Sequence, residues 1–396
     1  MSRGPARLGL LAALFAAALA LRPQLVGIGP LLPEIQDDLD VSHAVAGLLA
    51  TIPVLCMGLF APPAPYLREW LGSRWAMALS LLAIAAFGVG RAVVPGIAGL
   101  LLLTFGVGIG MGLAGALLPV AVKERFADRP AFATGTYATG IALGAAISAA
   151  LAVPVADAAF GWRASLLVFS LFTGLLVIGW TLLTRGTPAH ARSEGRPPRL
   201  PYGSPVAWVL VTVFFLMAVS FYGLNAWLPD AYIERGWSEG SAGALVAVFN
   251  AVTVPTSLVV PWLADRAGSR RVYLASATAV LVVAVLGTLL YPAGGWVWAV
   301  LMGIAFGTQF PLVMTLPLDA ASRPAEVGAV TGLMLGAGYS LAALTPFVLG
   351  GIRDATGSFT ASLWLIVAVA AVMVLVCLPL SRERLQRAAE AHAIGA

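Results

Sequence analysis

Apolar runs long enough to cross a lipid bilayer, about 20 residues each, follow one another along almost the whole chain. The chain is 60% hydrophobic and only 10% charged, whereas soluble globular proteins carry roughly 25% charged residues. So few charges do not cover a water-facing surface, and we therefore expect an integral membrane protein. The runs are continuous rather than alternating, which predicts membrane helices and excludes a β-barrel.

The runs predict an all-α membrane fold with twelve transmembrane helices. The first six lie near 8–33, 43–66, 75–94, 97–122, 132–154 and 163–184, and the second six near 205–229, 240–263, 272–291, 296–318, 327–350 and 359–380. We expect a first six-helix bundle at 1–184, a linker loop at 185–204, a second bundle at 205–381 and a tail at 382–396. The first run also resembles a cleavable signal peptide, but the repeat described next requires it as a helix.

The two sets of six helices are copies of one unit. Residues 72–74 (Gly-Ser-Arg) return 196 positions later as 268–270, and residues 139–140 (Thr-Gly) return 192 positions later as 331–332. An offset that stays nearly constant across helices and loops indicates a duplication. Because six is an even number of spans, both copies keep the same orientation in the membrane, which predicts two pseudo-symmetric bundles.

The basic residues predict the orientation of the chain. Eighteen of the 23 lysines and arginines fall in segments on the same side as the N-terminus. Four fall in segments on the opposite side, namely Arg91, Arg163, Arg235 and Arg353. The positive-inside rule then places both termini in the cytoplasm, and we expect the bacterial plasma (inner) membrane.

Arg22 is the one cation placed well inside a predicted span. At the helical rise it lies about 21 Å from the start of the run and about 16 Å from Pro33, which is near mid-depth. A charge there is costly and requires a function or a partner. None of the 18 acidic residues falls in the middle of a predicted span. Three alternatives remain open: contact with an anionic ligand, a structural bond to carbonyls or hydroxyls, or snorkelling to the outer surface.

Other polar residues in the predicted spans are candidates to complete a substrate site with Arg22. A prolyl residue follows Arg22, and Pro23, Pro30 and nearby glycines are expected to loosen the helix. For each of the other candidates, a hydrogen bond between helices is the alternative to ligand contact. The candidates are Gln24 in the first helix, Tyr222 and Asn225 in the seventh, and Gln309 in the tenth. The duplicate of the first helix has Ala218 where Arg22 falls, so the site is expected to be lopsided.

A short loop in each half carries a related motif. A carboxylate at a helix end, a glycine for a tight turn and arginines in the next turn are suited to latch helix ends together. The members are Asp265, Arg266, Gly268 and Arg270 in the second half and Glu69, Gly72 and Arg74 in the first. The pattern resembles the signature Gly-x-x-x-Asp-Arg-x-Gly-Arg-Arg of the major facilitator superfamily, with the first copy degenerate.

Residues 21–35 resemble the first helix of the branch of that superfamily that holds cyanate and 2-nitroimidazole transporters. The resemblance implies a secondary or facilitative carrier, which we expect to be monomeric, for a small anionic or polar organic solute. It implies alternating access around one site between the bundles, with Arg22 holding the solute. The alternative is efflux of a small drug-like compound such as a nitroaromatic. The direction of transport and the presence of a coupling ion are left open.

The remaining sequence features exclude other functions. There is no nucleophile–base pair, metal-ligand cluster or phosphate loop, so we expect no enzyme, no cofactor and no metal. The basic residues lie at helix ends, which excludes nucleic acid as a partner and leaves the solute and the lipid bilayer. Gly110, Gly112 and Gly115 match a dinucleotide pattern, but no strand precedes them, and their spacing predicts close helix packing instead.

Overall fold

The protein folds into α-helices joined by short loops, as continuous apolar runs require in a membrane, where every backbone polar group must be bonded internally. The computed structural model describes residues 4–41, 43–158, 161–185, 199–267, 270–321, 323–381 and 384. Within these ranges it contains helices and turns and no strand. The predicted linker loop lies mostly outside the described residues, and so does most of the tail.

The first half of the described chain forms eight helices. They are α1 (Gly4–Leu19), α2 (Pro23–Val26), α3 (Leu32–Leu39), α4 (His43–Leu59), α5 (Ala64–Val93), α6 (Ile97–Arg125), α7 (Pro130–Ala158) and α8 (Trp162–Leu183). A 3₁₀ turn, Gly29–Leu31, joins α2 to α3. The helix α6 packs against α4 and α5, and α8 packs against α1 and α5.

The second half of the described chain forms seven helices. They are α9 (Pro205–Ile233), α10 (Glu239–Ala267), α11 (Arg270–Leu290), α12 (Gly295–Ala320), α13 (Pro324–Ala342), α14 (Thr345–Thr356) and α15 (Thr360–Cys377). Ser204 caps α9, with its side chain accepting a hydrogen bond from the backbone N–H of Ala207. The helix α12 packs against α10 and α11, and α15 packs against α9 and α11.

Among the described residues, eleven helical segments are long and apolar enough to cross a membrane, and Val45–Leu59 is a shorter apolar helix. Together they correspond to the twelve predicted spans. The structure adds detail to three of the predicted segments. The first span is interrupted at Arg22 and the eleventh between Ala342 and Thr345. The turn predicted before the third span is a kink at Gly72, whose backbone is non-helical between two helical parts of α5.

The chain divides into two compact units. Unit 1 contains Met1–Phe126, Thr136–Leu200 and Arg323–Gly336, and unit 2 contains Ala127–Gly135, Pro201–Ser322 and Ala337–Ala396. Most of each predicted bundle falls in one unit, but the division passes through α7 and α13.

Candidate functional site

The first predicted span breaks at Arg22. The amide of Leu21 already bonds three residues back, to the oxygen of Ala18 at 3.1 Å, and α1 has ended at Leu19. Pro23 has no N–H with which to continue the helix, because a prolyl nitrogen carries no hydrogen. The helix restarts with Pro23 at its first position and Arg22 as its N-cap residue. The expectation that Pro23 loosens this helix is confirmed.

The Arg22 side chain lies at this interruption. It is half-buried and interacts with other groups of the protein. Its own carbonyl accepts from the amides of Leu25 and Val26 at 3.0 and 2.9 Å, which anchors the start of α2. The duplicate helix is different, because α9 runs without a break through Ala218, which is buried. The cation and the break therefore belong to the first half alone.

Gln24 uses its polar atoms within unit 1. Its side chain is fully buried, and its amide Nε2 donates to the Ser170 hydroxyl at 2.7 Å and to the Leu166 carbonyl at 3.3 Å in α8. Gly88 of α5 leaves the room for this contact, since a Cβ there would lie 2.6 Å from the Ser170 Oγ. These bonds match the helix–helix alternative for Gln24.

A second arginine, Arg91, is more deeply buried than Arg22. It lies in the last turn of α5 and is 0% exposed. Its Nη1 donates to the backbone oxygen of Gln24 at 3.0 Å and to the Gln24 Oε1 at 3.4 Å. Arg91 was predicted to lie in an outer segment; the structure shows that its side chain is buried inside unit 1. The missed signal is that an arginine within a predicted apolar span has to find its partners inside the protein.

Two of the candidates in α9 lie next to polar and aromatic partners of unit 2. The Asn225 Oδ1 accepts from the Asn250 Nδ2 of α10 at 2.8 Å, and its own Nδ2 donates to the Phe221 carbonyl at 2.9 Å. Tyr222 is half-buried, with its ring in edge contact with the rings of Phe221 and Tyr339. Asn250 was not predicted as a site residue, although an asparagine within an apolar run indicates a hydrogen bond between helices or a ligand contact.

Gln309 of α12 is fully buried in unit 2. Its Nε2 donates to the Thr278 hydroxyl of α11 at 3.3 Å, while its Oε1 has no hydrogen-bond partner among the described residues. It therefore combines a helix–helix bond with one free acceptor. Gln24 lies in unit 1 and Gln309 in unit 2.

The loop motif of the second half forms an ion-pair network. Arg270 donates to Asp265 at 3.0 Å and to both carboxylate oxygens of Asp319, each at 2.9 Å. The Asp265 Oδ2 also accepts from the Phe132 amide at 2.7 Å, in the first turn of α7, where the helix dipole favours an anion. The guanidinium of Arg266 stacks 3.8 Å from the Trp262 ring. Gly268 lies outside the described residues.

The first-half loop is built from different bonds. Arg68 donates to Glu69 at 2.5 Å and to Glu124 at 2.9 Å. It is therefore the arginine that pairs with two carboxylates in this half, as Arg270 does in the second half. Arg74, the sequence equivalent of Arg270, instead donates to the Thr181 carbonyl at 3.0 Å. Gly72 has a φ of +75°, which only glycine adopts without strain. Glu69, Gly72 and Arg74 were predicted as members of this loop, whereas Arg68 and Glu124 were not.

The glycine-rich helix α6 packs closely against its neighbours. A Cβ on Gly110 would lie 2.6 Å from the Ser80 carbonyl oxygen of α5, and one on Gly112 would lie 2.7 Å from the Cys56 carbonyl oxygen of α4. Close packing is therefore the role of these two glycines, as predicted. Gly115 differs, because nothing lies within 4 Å of the position its Cβ would take.

The chain is similar to one known protein superfamily in both sequence and helical architecture. The profile of the Major Facilitator Superfamily matches residues 8–346 and, in an overlapping match, residues 232–395. The transporter FucP, solved in the outward conformation, superposes with a TM-score of 0.76 at 16% identity, covering 95% of this chain and 99% of FucP.

Two curated transporters of Escherichia coli strain K12 are similar along most of the chain. The cyanate transport protein CynX is 30% identical over 342 residues, which is 86% of this chain and 89% of CynX. The 2-nitroimidazole transporter is 29% identical over 384 residues, which is 96% of this chain and 97% of that protein.

Proposed function

The chain belongs to the major facilitator superfamily, and from that premise we propose that it moves a small anionic or polar organic solute across a membrane, with Arg22 as the residue that binds the anionic group. Its family is one of membrane transporters, not enzymes, and the chain is a multi-pass membrane protein. We propose that transport follows an alternating-access cycle in the bacterial inner membrane, with both termini in the cytoplasm.

The observation that carries the proposal is a guanidinium at an interrupted membrane helix. Arg22 lies within the candidate span Arg7–Leu31, between the end of α1 and the start of α2. Interrupted membrane helices are where transporters present backbone and side-chain polar groups to a solute. A guanidinium adds a planar fork of donors that fits a carboxylate or a cyanate-like anion. The names of the two relatives support this solute class, since one transports cyanate and the other 2-nitroimidazole.

We propose different roles for the other candidate residues. Tyr222 and Asn225 are half-buried, so we keep them as contacts for the uncharged part of the solute. Gln309 retains one free acceptor, its Oε1, among the described residues. Gln24 is assigned to positioning, because all of its described bonds go to α5 and α8.

A thermal-shift screen tests the solute class. Purified full-length protein is heated in detergent, at a constant and saturating chloride concentration, with a panel of small monovalent anions, short carboxylates, cations and nitroaromatics. A ligand that binds only the folded state raises the melting temperature by mass action. We expect a rise with one or more small anions and none with cations; a panel in which only cations stabilise would reject the proposal.

Efflux of a small nitroaromatic is the second candidate, favoured by the similarity to the 2-nitroimidazole transporter over 96% of the chain. The two functions differ in the phenotype of cells that lack the protein. Loss of an anion carrier impairs use of that anion, whereas loss of an efflux carrier makes cells sensitive to the drug without any growth defect on the anion.

A further inference from the structure

The structure contains a buried cation that the proposed transport site does not use. Arg91 is 0% exposed, and among the described residues no carboxylate lies within salt-bridge distance of its guanidinium. Arginine stays charged at every pH a protein meets. A buried charge of this kind is expensive unless an opposite charge or a full set of hydrogen bonds compensates it.

The hydrogen bonds of Arg91 satisfy only one edge of its guanidinium. Nη1 bonds the backbone and side-chain oxygens of Gln24, at 3.0 and 3.4 Å. Nε and Nη2 are buried and have no partner among the described residues. These two nitrogens form the side of the fork that grips an anion with two parallel N–H bonds. The unused donors therefore have the geometry of an anion-binding edge.

The surroundings offer little other compensation. The carbonyl end of α5 carries a partial negative charge that offsets part of the cation's cost, because Arg91 lies in the last turn. Next to it, Ala92 and Leu166 belong to a fully apolar cluster with Ile28, Leu100 and Phe169. The Gln24 amide is already committed to Ser170 and Leu166.

The surroundings limit the ligand to a small ion. The Nε and Nη2 atoms of Arg91 are themselves buried, and on the Gln24 side of the network a Cβ on Gly88 would already lie 2.6 Å from the Ser170 Oγ. We propose that the Nε–Nη2 edge of Arg91 binds a small monovalent anion of chloride size, as a resident counter-ion in unit 1. This site is separate from Arg22 and does not depend on which solute the protein carries.

The test compares chloride with gluconate, which is too large for the site, at constant ionic strength. Melting temperatures of the purified full-length protein are measured as sodium gluconate is replaced by sodium chloride. Wild type is expected to rise by a few degrees and then saturate. Arg91→Lys keeps the charge but loses the two-donor edge, so its rise should disappear. Arg163→Lys, a matched change at an arginine already paired with Asp38, should keep it.

A further variant decides the case if Arg91→Lys does not fold. Gln24→Glu places a carboxylate where Arg91 already donates, so the chain supplies its own counter-ion. We expect this variant to lose the chloride response, and Arg22→Ala to retain it. Three results would overturn the proposal: equal melting temperatures of wild type in chloride and gluconate, a chloride response that survives in Gln24→Glu, or one that is lost in Arg22→Ala.

Discussion

Arg91 and Gln24, 67 positions apart in the chain, are joined at a fully buried contact: the Nη1 of Arg91 donates to the backbone oxygen of Gln24 at 3.0 Å. The same glutamine bonds α8 through Ser170 and Leu166. The short helix α2 is thereby tied to α5 and to α8. Since Arg22 is the residue before Pro23 in this segment, the network fixes the backbone that presents the proposed substrate-binding cation.

Gln24→Leu tests the network. Leucine fills a similar volume but leaves the Arg91 Nη1 and the Leu166 carbonyl with fewer partners, and an unsatisfied buried polar group costs about 1–3 kcal/mol. We expect the free energy of unfolding in detergent to fall by that amount. Gln36→Leu is the matched control, because the Gln36 side chain is half-buried and makes no hydrogen bond to the described residues. Equal losses in the two variants would contradict the role of the network.

Alanine substitutions at two glycines of α6 are expected to change the stability of the protein in different directions. A Cβ on Gly112 meets the Cys56 carbonyl oxygen at 2.7 Å, and backbone does not move aside cheaply, so Gly112→Ala should lower stability by about 1–3 kcal/mol. Gly115→Ala meets nothing within 4 Å. It should be neutral or stabilising by up to about 1 kcal/mol, because alanine is the better helix former. Thermal unfolding of both variants measures the difference, and a loss at Gly115 as large as at Gly112 would refute the packing account.

The loop network of unit 2 should show energetic coupling. Arg270 and Asp319 share two bonds of 2.9 Å with side chains that are 20% and 9% exposed. Part-buried ion pairs are stronger than surface pairs, and here the Arg270 Nη1 donates to both oxygens of Asp319. A double-mutant cycle of Arg270→Ala and Asp319→Ala should therefore give a coupling of about 1–3 kcal/mol. The exposed pair Arg323–Glu326 should give at most about 0.5 kcal/mol. If the two substitutions have additive effects on stability, Arg270 and Asp319 do not stabilise the protein through their interaction, and the prediction is wrong.

The ion pair of Asp38 predicts how the stability of the protein depends on pH in the acid range. The guanidinium of Arg163 and the indole N–H of Trp162 donate to the Asp38 carboxylate and hold its pKa below the ordinary value of 3.8. A carboxyl with a lowered pKa in the folded state adds stability above the unfolded pKa and loses it as the pH falls through the folded pKa. The pH range in which the Asp38 contribution to stability is lost therefore lies below about pH 4.

Melting curves of wild type and Asp38→Asn between pH 3 and pH 6 measure this contribution. The variant should lose less stability than wild type on acidification. The difference should be small, because the Asp38 side chain is 46% exposed and solvent screens the pair. Identical pH profiles would show that the pair contributes nothing.

The helices and the break at Arg22 could be predicted from the sequence because both follow from local rules. Apolar length predicts a span, and Pro23 cannot donate the bond that would continue α1. The interruption before Thr345 was not predicted, although Pro346 follows it at the start of α14. A proline within an apolar run is compatible with both a kink and a break, and packing decides which occurs.

The bonds of the candidate site could not be predicted, because they join residues far apart in sequence. Asn225 bonds Asn250 across 25 positions, and Gln24 bonds Leu166 across 142. The repeat also suggested equivalent loops, yet Arg68 rather than Arg74 makes the ion pairs in the first half. A degenerate copy keeps its length and its turn while its side chains find new partners.

The central claim is that Arg22 binds the anionic group of the solute. The most direct measurement is a titration of purified wild type, Arg22→Lys and Arg22→Ala with the anion that most stabilises wild type in the thermal-shift screen. With chloride held constant at a saturating concentration, so that the proposed Arg91 site stays filled, we predict that Arg22→Ala unfolds cooperatively without the titrated anion and shows no rise when it is added. Arg22→Lys should show a weakened rise, because lysine keeps the charge without the fork. An Arg22→Ala protein that is stabilised by the anion as strongly as wild type would contradict the claim.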